Sequence, residues 1–179
     1  MYIKKNIFAI IGSASKNSSN LKLVQKIAAL TADEFTINIF ENLAALPHFN
    51  PELSIENTPQ VIIDFRNAVQ QANGIIICTP EYIFSIPSGL KNAIEWCVST
   101  TVFSKKPAGL ITASASGIKG HEELKLIMRT LETIFHNDTT LLINGIKAKV
   151  DNNGNIKDEQ TNTALQTFTN AFIKLVNNN

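Results

Sequence analysis

Two stretches of this chain gather side chains suited to a small anionic ligand. The first, Gly12–Asn20 (GSASKNSSN), sets one glycine, four serines, one lysine and two asparagines between an apolar run and an amphipathic one. Backbone N–H groups at such a turn, the partial positive charge of a following helix N-terminus and short Ser or Asn donors together suit a phosphate. Neither GxGxxG nor a GK[ST] loop is present, so a monophosphate fits better than a pyrophosphate or triphosphate. The competing reading is that Ser18, Ser19 and Asn20 simply cap a helix, an effect of about 1 kcal/mol. The loop alone leaves the two open. Gly12 is expected to allow a sharp turn at the strand end.

The second stretch, Thr79–Trp96 (TPEYIFSIPSGLKNAIEW), places Pro80, Glu81 and Tyr82 where a rigid turn could lay backbone N–H and C=O groups along the edge of a flat ring. Tyr82 would add an aromatic edge. For Leu90, Ala93, Ile94 and Trp96 helix packing is the preferred reading, while Lys91 and Asn92 suit a subunit interface or loop geometry. A third loop, Ala113–Gly120 (ASASGIKG), offers Ser114, Ser116 and Gly117, with a plain helix N-terminus weighing equally. His48, His121 and His136 are widely spaced and no HExxH occurs, so no metal is expected. Glu122 and Glu123 beside His121 read as ordinary helix-dipole partners. No GxSxG elbow supports hydrolysis.

The elements that must position these loops follow from hydrophobic period. Asn6–Ile11 and Gly74–Thr79 are continuous apolar runs, the pattern of strands buried on both faces of a parallel sheet. Phe35–Phe40 alternates as a shorter strand, and Pro107–Ala113 and Thr140–Ile143 supply two more. Helical spacing follows in Val24, Ile27 and Ala28. It recurs in Ile62, Phe65, Val69 and Ala72, ending near Asn73–Gly74 in an expected left-handed turn. Pro87 opens a helix carrying Leu90, Ala93, Ile94 and Cys97. Leu124, Ile127, Met128, Leu131 and Phe135 form another face, and Leu165, Phe168, Phe172 and Val176 a last one. Glu41–Pro59 reads as a long surface loop, Asp151–Asn155 as a turn, and Asn177–Asn179 as a frayed end. Alternating strands and helices imply an α/β class with right-handed crossovers. Five strands suit a flavodoxin-like, doubly wound parallel sheet of order 2-1-3-4-5 with helices on both faces. Ligands then bind beyond strands one and three, where the order reverses.

At 179 residues a single domain over residues 1–179 is expected. A hydrophobic content of 44% and a charged content of 17% suit a globular chain rather than a disordered one. The formal net charge of +1, without a basic cluster, argues against nucleic acid as a partner. No apolar stretch approaches a membrane span, and the first residues read as a strand rather than a signal peptide, so no membrane partner and a cytoplasmic location are expected. Cys78 and Cys97 sit in apolar runs and read as buried, reduced thiols.

Thr79–Trp96 resembles the PEYN-x-S-x-PG-x-LKNAxDW signature of the NADPH-dependent FMN reductase family, and Gly12–Asn20 resembles that family's GSxRxxSxN loop. The late stretch DNNGNIKDE resembles its D-x-x-G-x-I-x-D/E segment, so the likeness covers nearly the whole chain. The resemblance implies phosphate contacts from Ser13, Ser18 and Asn20, with Ser15 and Ser19 in the same loop. It implies flavin contacts from Pro80, Glu81, Tyr82, Ile83 and Ser85, and from the loop holding Ser114, Ser116 and Gly117. Ser15 stands where the family has arginine, with Lys16 beside it. Ile83, Phe84 and Ser88 replace asparagine, a small residue and glycine, and Ile83 with Phe84 predicts a narrower, more apolar substrate pocket. The implied activity is ping-pong transfer of hydride from NADPH or NADH to FMN and on to a small-molecule acceptor: a flavin, quinone, azo compound or metal ion. A homodimer or tetramer is implied, and no catalytic side chain is assigned. Two rival readings stand beside it: a flavodoxin-type electron carrier, against which the near-neutral charge counts, and a flavin-fold protein that binds without redox work.

Overall fold

The apolar run Lys5–Ile11 (β1) lies inside a parallel sheet, between Phe35–Phe40 (β2) and Gly74–Thr79 (β3). The structure is a computed structural model and describes residues 3–16, 18–151 and 154–179. Beyond β3 lie Ala108–Ser114 (β4) and Thr140–Asn144 (β5), giving among the described residues a five-stranded order β2-β1-β3-β4-β5, the expected one. The helices are Ser19–Leu30 (α1), Gln60–Gln71 (α2), Ser88–Glu95 (α3), Ile118–Thr130 (α4), the short Ile146–Lys149 (α5) and Glu159–Asn177 (α6). Side chains on a strand alternate between faces, so β1 divides cleanly. Its Phe8 and Ile10 join Phe65, Leu90 and Met128 in a core under α2, α3 and α4, while Ile7, Ala9 and Ile11 join Val24, Leu165 and Phe172 under α1 and α6. Both cysteines are free and buried. Among the described residues no helix is long and apolar enough to cross a membrane.

Several local expectations change. The chain leaves α2 through Ala72 in an extended conformation, and neither Asn73 nor Gly74 is left-handed, because Asn73 is tied to β1 instead: its Oδ1 accepts from Asn6 N at 2.8 Å. Pro87 caps α3 and Ser88 is its first residue. Phe135 falls outside α4, which stops at Thr130 before a left-handed Glu132. The end is not frayed: α6 runs to Asn177, and Asn179 Nδ2 donates to Leu175 O at 2.8 Å. The long loop after β2 carries two single 3-10 turns, Leu43–Ala45 and Glu52–Ser54. Of the Asp151–Asn155 turn, Asn152 and Asn153 lie outside the described residues, as does Asn17 of the first loop.

Candidate active-site cleft

The C-terminal ends of β1, β2 and β3 open onto a cleft of about 920 Å³, inside the range of about 300–1,000 Å³ common to small-molecule sites. Its walls are Gly12–Lys16 and Ser18 after β1, Leu21 and Gln25 on α1, Glu41–Ala44 after β2, and Tyr82 with Pro87–Gly89 after β3. This is the crevice where strand order reverses, the position that parallel sheets give their ligands.

Gly12 is required for space rather than for a turn. Its φ is not positive, and a Cβ there would lie 2.2 Å from Thr79 Oγ1 and 2.6 Å from Thr79 Cβ. The close approach brings the ends of β1 and β3 together. Past it, Ser13 Oγ accepts from Ser15 N at 3.2 Å, and Ser18 Oγ caps α1 by accepting from Leu21 N at 3.1 Å. Among the described residues the N–H groups of Ser13, Ala14, Lys16 and Ser18 meet no protein acceptor. Unclaimed donors, one ammonium group and a helix N-terminus at one end of a cleft are the donor set of an anion site. The residues present therefore fit a flavin phosphate. Capping and anion binding are compatible readings, since Ser18 caps α1 and also lines the cleft. Ser19 is the first residue of α1, outside the wall. Asn20 is buried and braces instead: its Nδ2 donates to Ala113 O at 3.3 Å and its Oδ1 accepts from Cys78 Sγ at 3.3 Å. Burial raises the Cys78 thiol far above its ordinary range and the Cys97 thiol to about 12, so neither is a nucleophile at neutral pH.

The second motif divides between wall and scaffold. Tyr82 lines the cleft, whereas Pro80, Glu81, Ile83 and Ser85 do not, and neither do Ser114, Ser116 and Gly117. Tyr82–Ser85 is a tight turn: Tyr82 N donates to Ser85 O at 2.9 Å, and Ser85 N to Tyr82 O at 3.1 Å. Its central residues Ile83 and Phe84 have φ of 50° and 61°, the left-handed pair of a type I′ turn. That geometry turns their side chains out, 94% and 77% exposed, so they do not narrow this chain's cleft as expected. The Glu81 carboxylate is consumed by α4, accepting from Gly117 N at 3.2 Å and Gly120 N at 2.8 Å where the left-handed Gly117 offers no side-chain cap. Ser114 Oγ donates to Glu81 O at 3.3 Å.

Glu122 and Glu123 correct the sequence reading. Glu122 forms an exposed ion pair with Lys119 at 2.9 Å, whereas Glu123 crosses to the turn, its Oε2 accepting from Ser85 Oγ at 2.6 Å and Ile86 N at 2.9 Å. His121 is buried, its Nδ1 3.0 Å from Thr112 Oγ1; burial, aided by Lys125 and opposed by Glu122, lowers its pKa to about 4. On α3, Asn92 serves loop geometry. Its Oδ1 accepts from Phe49 N at 2.7 Å and its Nδ2 donates to Pro47 O at 3.0 Å. Trp96 Nε1 donates to the same carbonyl at 2.7 Å, with the Trp96 ring edge-on to Phe49, and Lys91 pairs with Glu95 at 2.8 Å. The Asn92 and Trp96 bonds anchor the loop whose start, Glu41–Ala44, forms the far wall. Sequence reasoning missed that wall, because a loop without periodicity gives no signal of what it faces, and Gln25, because an exposed polar residue on α1 carries no mark of a ligand. The titratable cleft side chains are Lys16, Glu41 and Tyr82, a set that can orient a ligand.

The model of a family described as NADPH-dependent FMN reductase matches residues 5–147. The chain is 29% identical over 172 residues to the 2-hydroxy-1,4-benzoquinone reductase of a Burkholderia species, covering 93% of each chain. It is 32% identical over 184 residues to the NADH-dependent flavin reductase subunit 2 of Lactobacillus johnsonii, covering 95% of this chain and 96% of that one. In fold it is similar to the flavoenzyme NAD(P)H:(acceptor) oxidoreductase FerB from Paracoccus denitrificans, with a TM-score of 0.85 and 24% identity over 97% of this chain and 98% of that one. With the family matched over most of its length, the chain belongs to the NADPH-dependent FMN reductases and is an FMN-dependent NAD(P)H oxidoreductase.

Proposed function

We propose that the cleft holds FMN with its phosphate at the loop from Ser13 to Ser19, and that a quinone or a free flavin is the acceptor. The carrying observation is the loop itself: unclaimed N–H groups, the Ser13 and Ser18 hydroxyls, Lys16 and the α1 N-terminus at one end of the cleft. Lys16 supplies the charge that Ser15 lacks. Bound FMN supplies the two-electron chemistry between nicotinamide and acceptor. The chain's own residues bind, orient and exclude water. Ser13, Ser15, Lys16 and Ser18 hold the phosphate, with Ser19 behind them as the first residue of α1, Asn20 fixes the loop's footing on β3 and β4, and Leu43, Ala44, Pro87 and Gly89 supply the drier wall. Tyr82 borders the ring, with Pro80, Glu81, Ser85 and the Ser114–Gly117 loop behind it as support.

Quinone acceptors are supported by the Burkholderia relative's name and free flavin by that of the Lactobacillus relative. The exposed Ile83–Phe84 tip beside the cleft supports a homodimer or tetramer in which a second copy covers it. The chain is proposed to be one FMN-binding domain working in the cytoplasm, in keeping with its two unpaired buried thiols. The test is the visible spectrum of purified protein titrated with FMN, then with NADPH or NADH without oxygen, then with benzoquinone. Yellow colour that bleaches with nicotinamide and returns with quinone is expected. Protein that stays colourless after FMN addition and gel filtration refutes the reading.

A further inference from the structure

The turn Tyr82–Ser85 is an unstable piece of backbone in isolation. Left-handed φ at two consecutive non-glycine residues is disfavoured, and Ile83 is β-branched besides. Such conformations persist only where the surroundings over-determine them. Here the surroundings are two carboxylates arranged reciprocally between the turn and α4. Glu81, on the turn side, accepts from Gly117 N and Gly120 N of the helix start. Glu123, on the helix, accepts from Ser85 Oγ and Ile86 N of the turn side. The two elements also touch closely: a Cβ at Gly120 would lie 3.2 Å from Glu81 Cβ and 3.4 Å from Ser85 O. Glu123 thus grips the segment between Tyr82 and Pro87, and both of those residues line the cleft.

We infer that Glu123 is a positioning residue for the cofactor: its carboxylate, acting on Ser85 and Ile86, holds the Tyr82–Pro87 wall in the shape that receives FMN. The inference rests on the proposed FMN site. Releasing the grip lets the turn leave its left-handed pair, and apparent affinity falls in proportion to the fraction of molecules still holding the competent wall. Charge-assisted bonds are the stronger kind, so losing two of them is expected to lower that fraction by about a decade.

The experiment titrates FMN into apoprotein by quenching of flavin fluorescence at a temperature well below unfolding, where a purely stabilising role leaves Kd unchanged. Glu123→Ala is expected to raise Kd roughly tenfold. Glu123→Gln is expected to stay within about threefold of wild type, because both bonds fall on one oxygen and an amide oxygen can accept both. Glu122→Ala, which removes only the exposed pair with Lys119, is expected to leave Kd unchanged. Should Glu123→Ala fail to fold, Ser85→Ala removes one of the two bonds and is expected to raise Kd about threefold. Wild-type affinity in Glu123→Ala or, failing that, in Ser85→Ala overturns the inference, as does a Glu123→Gln protein no tighter than Glu123→Ala. Wild-type apoprotein that binds no FMN overturns the functional proposal and this inference with it; wild type that binds while the variants match it overturns this inference alone.

Discussion

Ile83 offers a stability test that runs opposite to ordinary expectation. A left-handed backbone costs an L-residue about 1–2 kcal/mol, and a β-branched side chain is among the least tolerant. Ile83 has φ of 50° and is 94% exposed, so its side chain returns almost no burial in this chain. Asparagine tolerates the left-handed region, so Ile83→Asn is expected to stabilise the monomeric apoprotein by about 1 kcal/mol. Glycine relieves the strain more fully but frees the unfolded chain, a counter-effect of about 0.4–1 kcal/mol, which leaves Ile83→Gly with a gain of about 0.5–1 kcal/mol. For a chain of this length 1 kcal/mol raises Tm by about 2–4 °C. The assay is calorimetric unfolding of dilute apoprotein, with Ile55→Asn as control. Ile55 is 79% exposed with an ordinary φ of −108°, and its replacement is expected to fall within about 0.5 kcal/mol of wild type. An Ile83→Asn protein that melts at or below both wild type and the control refutes the claim that the turn is strained.

Three further outcomes are expected. Gly12→Ala forces a Cβ to 2.2 Å from Thr79 Oγ1 and should lose about 2–3 kcal/mol in urea unfolding. Ser18→Ala deletes the cap on Leu21 N and should lower apoprotein stability by about 1 kcal/mol in the same assay. His121 has a folded pKa of about 4 against an ordinary value near 6.5, so the unfolded chain takes up a proton that the folded chain refuses. Its contribution is therefore complete above about pH 6.5 and is lost as pH falls towards 4, by up to about 3 kcal/mol. Urea unfolding of wild type against His121→Gln at several pH values checks the sign: the variant's stability should fall less over that window.

The sheet was legible because fully apolar runs such as Gly74–Thr79 can be satisfied only by burial on both faces, and their order with the helices restricts the topology. The two loops at the reversal point were legible for the same reason, since a strand end fixes where its loop emerges. What escaped was the pairing of side chains distant in sequence. Glu123 reads as a helix-start acid until the fold brings Ser85 beside it, 38 positions away. Glu81 likewise reads as a ligand contact until its carboxylate is found on α4 backbone. Gly12 was read as a turn residue, although the reason for glycine is the Thr79 side chain packed on its Cα, a neighbour from another strand. Ile83 misled most: an apolar residue in a ligand motif suggests an apolar pocket, but the left-handed turn faces it outward.

The claim on which the rest depends is that the Ser13–Ser19 loop receives the phosphate of FMN. The most direct test is parallel titration of wild-type apoprotein with FMN and with riboflavin, which differ only by that phosphate. A built phosphate site should bind FMN at least about tenfold more tightly, one decade being about 1.4 kcal/mol, with the preference shrinking as salt rises. Equal affinities for FMN and riboflavin would contradict the assignment.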